Sequence, residues 1–211
     1  MAVKSVTWKT NPDGSVTITS TVRVAPPVLE WACNAVMTYT LVPVTVRIHT
    51  RGSFSGTYPK HVPRIGLTMT LPKDFNSAEW FGRGPGESYC DKKQASRIGR
   101  WGASIEELQT DYEFPQENGN RADARWARIG SRGRMLKERI ETAFNFSLRK
   151  YATEDLDKCK HPHELTELDE RVLNLDYLQH GLGSGSCGPG PFERDRLMAG
   201  PFEFTTDLSI L

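Results

Sequence analysis

Between residues 1 and 71 the chain alternates apolar with polar residues almost without pause, through SVTWKT, SVTITSTVRV, MTYTLVPVTVRIHTRG and RIGLTMTL. A period of two places successive side chains on opposite faces of an extended backbone, so these runs predict half-buried β-strands. Thr and Val dominate them, and β-branched side chains lose χ1 freedom in a helix but pack well on a pleated surface. Asn11, Pro12, Asp13 and Gly14 separate the first two runs with residues that suit the special dihedrals of a tight turn, which predicts a hairpin there.

Residues 72–135 are richer in Gly, Arg and Trp, with strand-like fragments (AEWFGRG, ARWARIG) joined by long polar connections in which function tends to reside. A short helix is expected over 103–109, where Ser104 can cap and Glu106 and Glu107 fall in the first turn. A second is expected over 152–159, with Glu154 and Asp155 near its start. RVLNLDYLQHG and the terminal FEFTTDLSIL read as strands, and no fixed-period repeat is present. Many short strands with few helices favour an all-β antiparallel sandwich.

Twenty-seven Lys and Arg against 26 Asp and Glu leave a formal charge of +1, which offers no basic surplus to a nucleic acid. No run approaches the roughly 20 apolar residues that span a bilayer, so neither nucleic acid nor membrane is expected as a partner and a cytoplasmic location is. Nine Phe, six Tyr and five Trp in a chain of 211 residues supply enough apolar bulk for one folded unit. The four cysteines, Cys33, Cys90, Cys159 and Cys187, lack CxxC spacing and are expected to be reduced.

Several motifs invite chemistry and mostly fail it. GRGPGES at 82–88 lacks the Lys-Ser/Thr and following helix of a phosphate loop, and Glu87 would repel phosphate. Cys159, His161 and His163 alternate, but no second ligand pair accompanies them, so no metal is expected. Glu79, Glu87, Asp91, Glu113 and Glu117 show no spacing that marks a general acid and base, and lone loop acids are usually solvated. Arg121 and Asp123 could form a surface pair, Asn118 and Gly119 suit a turn, and Trp80, Phe81 and Trp126 read as core. GLGSGSCGPGPF at 181–192 is the most unusual segment, with five glycines, two prolines and a cysteine. Such a loop is either a flexible crossing or a backbone-shaped wall of a site. His180 is the sequence-local base that a reactive Cys187 would need.

Five strings in order carry more than pattern: PRIGLTMTLP (63–72), EWFGRGPGESYCDK (79–92), YEFPQENGNRADARW (112–126), HPHEL (161–165) and LNLDYLQHGLGSGSCGPG (173–190). Together they resemble the C-terminal "small chain" module of glycoside hydrolase family 2 β-galactosidases, in wording closest to fungal members, over residues 1–211. The resemblance implies a large antiparallel β supersandwich, like galactose mutarotase. It also implies that the catalytic glutamates lie in an upstream (β/α)₈ barrel; such a barrel needs about 250 residues, so this chain alone is not expected to hydrolyse a galactoside. No cofactor is implied.

In that family the module lends a loop to the barrel's sugar pocket, and a Trp on the loop of bacterial members forms an apolar platform. Aligned with a one-residue gap, Cys187 takes the Trp position, so Ser186, Cys187 and Gly188 are the candidate substrate-binding residues. A thiol offers far less flat apolar area than an indole, which weakens or relocates sugar stacking. The expected partners are a β-galactoside sugar and a barrel-bearing β-galactosidase chain, met either as a small subunit or within a longer polypeptide. The family module begins some tens of residues earlier than Met1, so its first strands are expected to be missing and a sheet edge uncovered. The alternative is a stand-alone carbohydrate-binding or mutarotase-like protein, whose His and Glu acid/base pair the motifs do not place.

Overall fold

In the computed structural model, which describes residues 1–131, 134–140, 142–184 and 187–210, the alternating runs are strands β1 (Ala2–Thr10), β2 (Val16–Val24), β3 (Ala32–Val42), β4 (Thr45–Ser55) and β5 (Arg64–Pro72). Gly14, at φ +82°, closes the first hairpin, and its N–H donates to the Asn11 carbonyl at 3.0 Å. The run MTYTLVPVTVRIHTRG is two strands, broken at Pro43 and Val44; Val44 sits at φ +59°, a turn conformation that ends β3. β6 (Ser77–Gly84), β7 (Arg97–Ser104), β8 (Arg121–Ala124), β9 (Trp126–Ser131), β10 (Arg134–Ile140), β11 (Phe144–Arg149), β12 (Glu170–Gln179) and β13 (Phe202–Ile210) complete the strands of the described residues.

The two expected helices are present as α1 (Ile105–Leu108) and α2 (Thr153–Lys158). Ser104 caps α1 in a reciprocal box: its hydroxyl accepts from the Glu107 N–H at 3.3 Å while the Glu107 carboxylate accepts from the Ser104 N–H at 2.8 Å. α2 begins one residue earlier than a Thr cap would put it, with Ala152 at the N-cap. The Thr153 hydroxyl instead accepts from Arg149 Nη2 at 3.1 Å.

Every strand pair is antiparallel. One sheet runs β1-β2-β3-β4-β13-β10-β9-β6-β7 and a smaller one runs β5-β12-β11-β8. The described residues therefore form a two-sheet antiparallel fold and no parallel (β/α)₈ barrel. The small sheet lays Phe144, Phe146, Leu173 and Leu175 against Trp80 and Ile129 of the large one, and all six are fully buried. A second cluster joins Val62 and Ile65 to Phe204 of β13.

That cover stops near β4, while the apolar face of the large sheet continues. Cross-strand register places Val6 and Trp8 of β1 opposite Ser20 and Ile18, and Ile18 opposite Tyr39 and then Ile48, whose neighbours on β13 belong to the core. A slip in the ladder at Val3/Ser5 brings Val3 onto the same face, opposite Val22. Thr17, Thr19 and Thr21 line the other face, opposite Thr40, Thr38 and Val36. All nine residues of β1 are exposed, with Val3, Val6 and Trp8 at 55%, 58% and 73%. Among the described residues β1 is an edge strand whose apolar side chains lie uncovered.

Three side chains depart from expectation. Trp80 is core, but Phe81 is 36% exposed beneath Arg125 and Trp126 is half-buried beneath Arg128. Arg121 does not pair with Asp123: it is buried over the Trp80 ring at 5.4 Å and donates to the Gly119 and Leu108 carbonyls at 2.8 and 3.2 Å. Asp123 turns the other way, at φ +55°, and accepts from Arg83 Nε at 2.5 Å and Lys93 Nζ at 2.8 Å. A surface pair was expected because the two lie two residues apart; the demand for buried carbonyl partners sends the guanidinium inward.

Glu138 of β10 is fully buried between Ala127 and Leu208 neighbours, and neither carboxylate oxygen has a hydrogen-bond partner. Burial pushes its pKa up to about 8. The folded state therefore holds a proton that the unfolded chain releases near its ordinary value of 4.5, so stability falls as pH rises from about 5 to 8 and levels off above. Glu138→Gln removes that slope. Melting curves of both proteins from pH 5 to 9 should diverge, with the variant gaining steadily up to about pH 8; parallel curves would refute the assignment.

Candidate functional site

The end of β12 and the loop that follows it form the wall between two adjoining clefts. On one face of the small sheet β12 presents Asn174 and Asp176, with Gln179 at its end; β5 begins at Arg64 opposite Gln179 and β11 ends at Arg149 opposite Val172, and the two arginine side chains converge on Asn174 between them. In the first cleft, Glu117 pairs with Arg64 and with Arg149 Nη1, the latter at 3.2 Å. Asp176 lies 3.8 Å from Arg64 Nε and accepts from Gln179 Nε2 at 2.7 Å. The Asn174 amide is satisfied with its oxygen toward the guanidinium groups, accepting from Arg64 Nη1 and Arg149 Nη2 at 2.9 Å each. Arg149 is 1% exposed and Asp176 2%, so two charges of each sign are held in one largely dry network. Burial raises the Asp176 carboxyl to about 6 against the opposing pull of Arg64 and Gln179, and burial lowers the Arg149 guanidinium.

Glu117 is delivered by a built loop. Gly119 sits at φ +75°, and the Asn118 side chain accepts from the Thr110 N–H at 3.0 Å and donates to the Gln116 carbonyl at 2.9 Å. Gln179 Nε2 also donates to Asn120 Oδ1 at 2.9 Å, which ties the loop to β12. At the far side, the rings of His61 and His180 meet edge to face with centroids 5.5 Å apart. His180 Nδ1 lies 2.7 Å from the Gly181 carbonyl and so is the protonated nitrogen. His61 Nε2 is shielded from solvent without a partner, and burial, then the charges of Arg196, His180 and Lys60, lower its pKa.

The second cleft shares Tyr89, Glu117 and Leu182 with the first and extends to Tyr112, Ser184 and Cys187. Glu87 organises it. Its carboxylate accepts from both Tyr89, at 3.2 Å, and Tyr112, and from the Gly119 N–H at 2.8 Å. Burial and that carboxylate push the Tyr89 phenol far up, and Tyr112 to about 12. Glu87 and Glu117 are thus not solvated loop acids. Their spacing gave no signal, because their partners lie on Tyr112, Arg64 and Arg149, tens of residues away.

The described residues of the glycine-rich loop are held by backbone hydrogen bonds. Asp91 Oδ2 accepts from the Gly183 N–H at 2.6 Å, and the Gly181 N–H donates to the Asp195 carbonyl at 2.7 Å. The Ser184 carbonyl accepts from the Cys187 and Gly188 N–H groups at 3.2 and 2.6 Å. A Cβ on Gly183, at φ +64°, would lie 2.6 Å from the Gly190 backbone, and one on Gly188 would lie 2.7 Å from Ser184 Cβ. Cys187 is an exposed free thiol on the rim of the second cleft, and Gly188 serves the loop through its backbone. Ser186 lies outside the described residues. His180 faces the first cleft, and no hydrogen bond among the described residues links it to Cys187.

Elsewhere, the CKHPH segment forms a turn capped by Glu164, which accepts from the Lys160 and His161 N–H groups at 2.7 and 3.2 Å while the His161 and His163 rings stack. Among the described residues no group of three His, Cys, Asp or Glu is placed to hold a metal ion.

Residues 1–208 match the family described as "Beta galactosidase small chain". The chain is 33% identical over 213 residues to the β-galactosidase of Kluyveromyces lactis, covering 98% of this chain and 20% of that protein. It is 44% identical over 122 residues to the β-galactosidase of Vibrio cholerae, covering 58% of this chain and 11% of that protein. It thus spans a fifth or less of the length of these relatives. A crystal structure of a putative aldose 1-epimerase from Escherichia coli K12 shares 11% identity at a TM-score of 0.46, covering 98% of this chain and 68% of that one.

The network around Glu117 is testable through stability. Glu117→Ala leaves Arg149 buried without its carboxylate and should cost about 3 kcal/mol, the low end for breaking a buried pair because Glu117 is partly exposed. Glu117→Gln should lose less, since the amide oxygen still accepts. Denaturant unfolding of the two variants checks both the size and the order of the losses.

Proposed function

The chain belongs to the β-galactosidase small-chain family, and on that premise we propose that it works as the non-catalytic C-terminal module of a β-galactosidase, completing a sugar pocket whose reacting carboxylates lie on a (β/α)₈ barrel. The observation that carries this reading is the anchored loop at 181–192. Among its described residues, Asp91 and two glycines without room for a side chain hold the backbone, which supports Cys187 as the side chain offered on an otherwise open rim. Ser186, Cys187 and Gly188 are the residues proposed to meet the galactoside, with the thiol giving a smaller apolar contact than an aromatic ring would.

The partner is the barrel-bearing part of the enzyme, in the same polypeptide or as a separate chain. The exposed apolar side chains of β1 support such docking, because Val3, Val6 and Trp8 extend the core face of the large sheet beyond the edge of the small one. Four free cysteines suit a reducing compartment, hence a cytoplasmic enzyme, and no helix among the described residues is long and apolar enough to cross a membrane. That the match to the Kluyveromyces lactis protein extends over 98% of this chain supports a fungal-like branch, and lactose is the β-galactoside proposed for it.

The test is hydrolysis of a chromogenic β-galactoside by the purified chain, alone and mixed with a β-galactosidase lacking its C-terminal module. Activity should arise only in the mixture; activity of the chain alone, or none in the mixture, overturns the reading. Val6→Asp with Trp8→Lys, both at exposed positions, should leave the melting temperature unchanged and lower reconstituted activity at least about ten-fold. Cys187→Trp should change KM for the galactoside in the reconstituted enzyme, and an unchanged KM removes Cys187 from the pocket.

A further inference from the structure

The first cleft carries chemistry that a loop-lending module does not use. It holds about 760 Å³, a volume typical of small-molecule sites, and lies beside rather than under the Cys187 loop. Its charges cancel: Arg64 and Arg149 face Glu117 and Asp176. A free anion would meet Glu117, and a free cation would meet Arg64, so the cleft favours an uncharged ligand.

The walls nevertheless offer strong donors and acceptors side by side. Arg64 donates, the carboxylate of Glu117 accepts, Gln179 offers its amide oxygen because Asn120 and Asp176 take both of its amide hydrogens, and His180, with Nδ1 turned to the Gly181 carbonyl, presents Nε2. His61 Nε2 has no partner although it is shielded from solvent, an uncompensated position that a ligand hydroxyl would satisfy. Val62, Pro63 and Leu182 add apolar surface, with Leu182 49% exposed at the rim. A neutral molecule with many hydroxyls, each both donor and acceptor, and with apolar C–H faces between them, matches these walls. We propose that the cleft bounded by His61, Arg64, Glu117, Gln179 and His180 is a second sugar site, distinct from the rim that carries Cys187, which binds a monosaccharide.

The site is complete within this chain, so its test uses the purified chain and does not depend on reconstitution with a barrel. Saturation-transfer NMR and calorimetric titration with galactose and with glucose should show specific binding, and sulfate should neither bind nor compete. His61→Phe keeps ring volume beside His180 while removing the unpartnered nitrogen; it should weaken sugar binding at least about ten-fold with the melting temperature held. Leu182→Arg, at an exposed rim position, should also block binding without touching the buried network. Val28→Ser, at an exposed position outside the lining of both clefts, should leave affinity unchanged. Absence of sugar binding by a folded chain, stronger binding of sulfate, or undiminished binding by His61→Phe and Leu182→Arg would each overturn the proposal. If reconstitution fails but the titration succeeds, this site stands and the reading as a β-galactosidase module falls.

Discussion

The four-charge network at the end of the small sheet is the constraint from which the rest of this face follows. Arg149 and Asp176 are almost wholly buried, and removing either charge from its partners would leave the other in a medium that solvates it poorly. Satisfying them fixes the relative positions of β5, β11, β12 and the loop around Glu117, four segments distant in sequence. Gln179 and Asn120 pass that constraint onward, and Glu87 joins it from the other side through the Gly119 N–H. The clefts are therefore a consequence of electrostatic satisfaction inside the sheet, and the loops only roof them.

The large sheet shows a different economy. Its nine strands carry one apolar face, yet the four strands of the small sheet shield only the portion from β4 onward. The Thr-rich opposite face of β2 and β3 needs no cover, since hydroxyls bond to water and β-branching suits the pleat. An apolar face that runs on past its own cover, rather than a scatter of exposed residues, is the form an interface takes.

β1 to β6, β9, β12, β13 and both helices were legible in the sequence because period-two alternation, the Asn11–Gly14 turn and the Ser104 cap are local signals, whereas β7, which lies in a segment that reads as a polar connection, and β8, β10 and β11 were not. The break at Val44 was not, since Val is an improbable residue at positive φ and only Pro43 hinted at it. The Cys187 loop announced itself by composition. The role of Glu117 did not: what distinguishes it from a solvated acid is its two arginine partners, one 53 residues upstream and one 32 downstream, and pairing over such separations leaves no mark in spacing. Arg121 misled for the mirror-image reason, its near neighbour Asp123 being claimed by Arg83 and Lys93.

The anchoring of the 181–192 loop bears on how such a pocket changes over generations. Gly183 and Gly188 tolerate no Cβ and Asp91 holds the backbone, whereas the exposed Cys187 side chain carries none of that support. Frame and presented surface are thus separable: the exposed side chain at 187 can be exchanged without disturbing the scaffold that aims it, so a rim of this kind can change its chemistry one residue at a time.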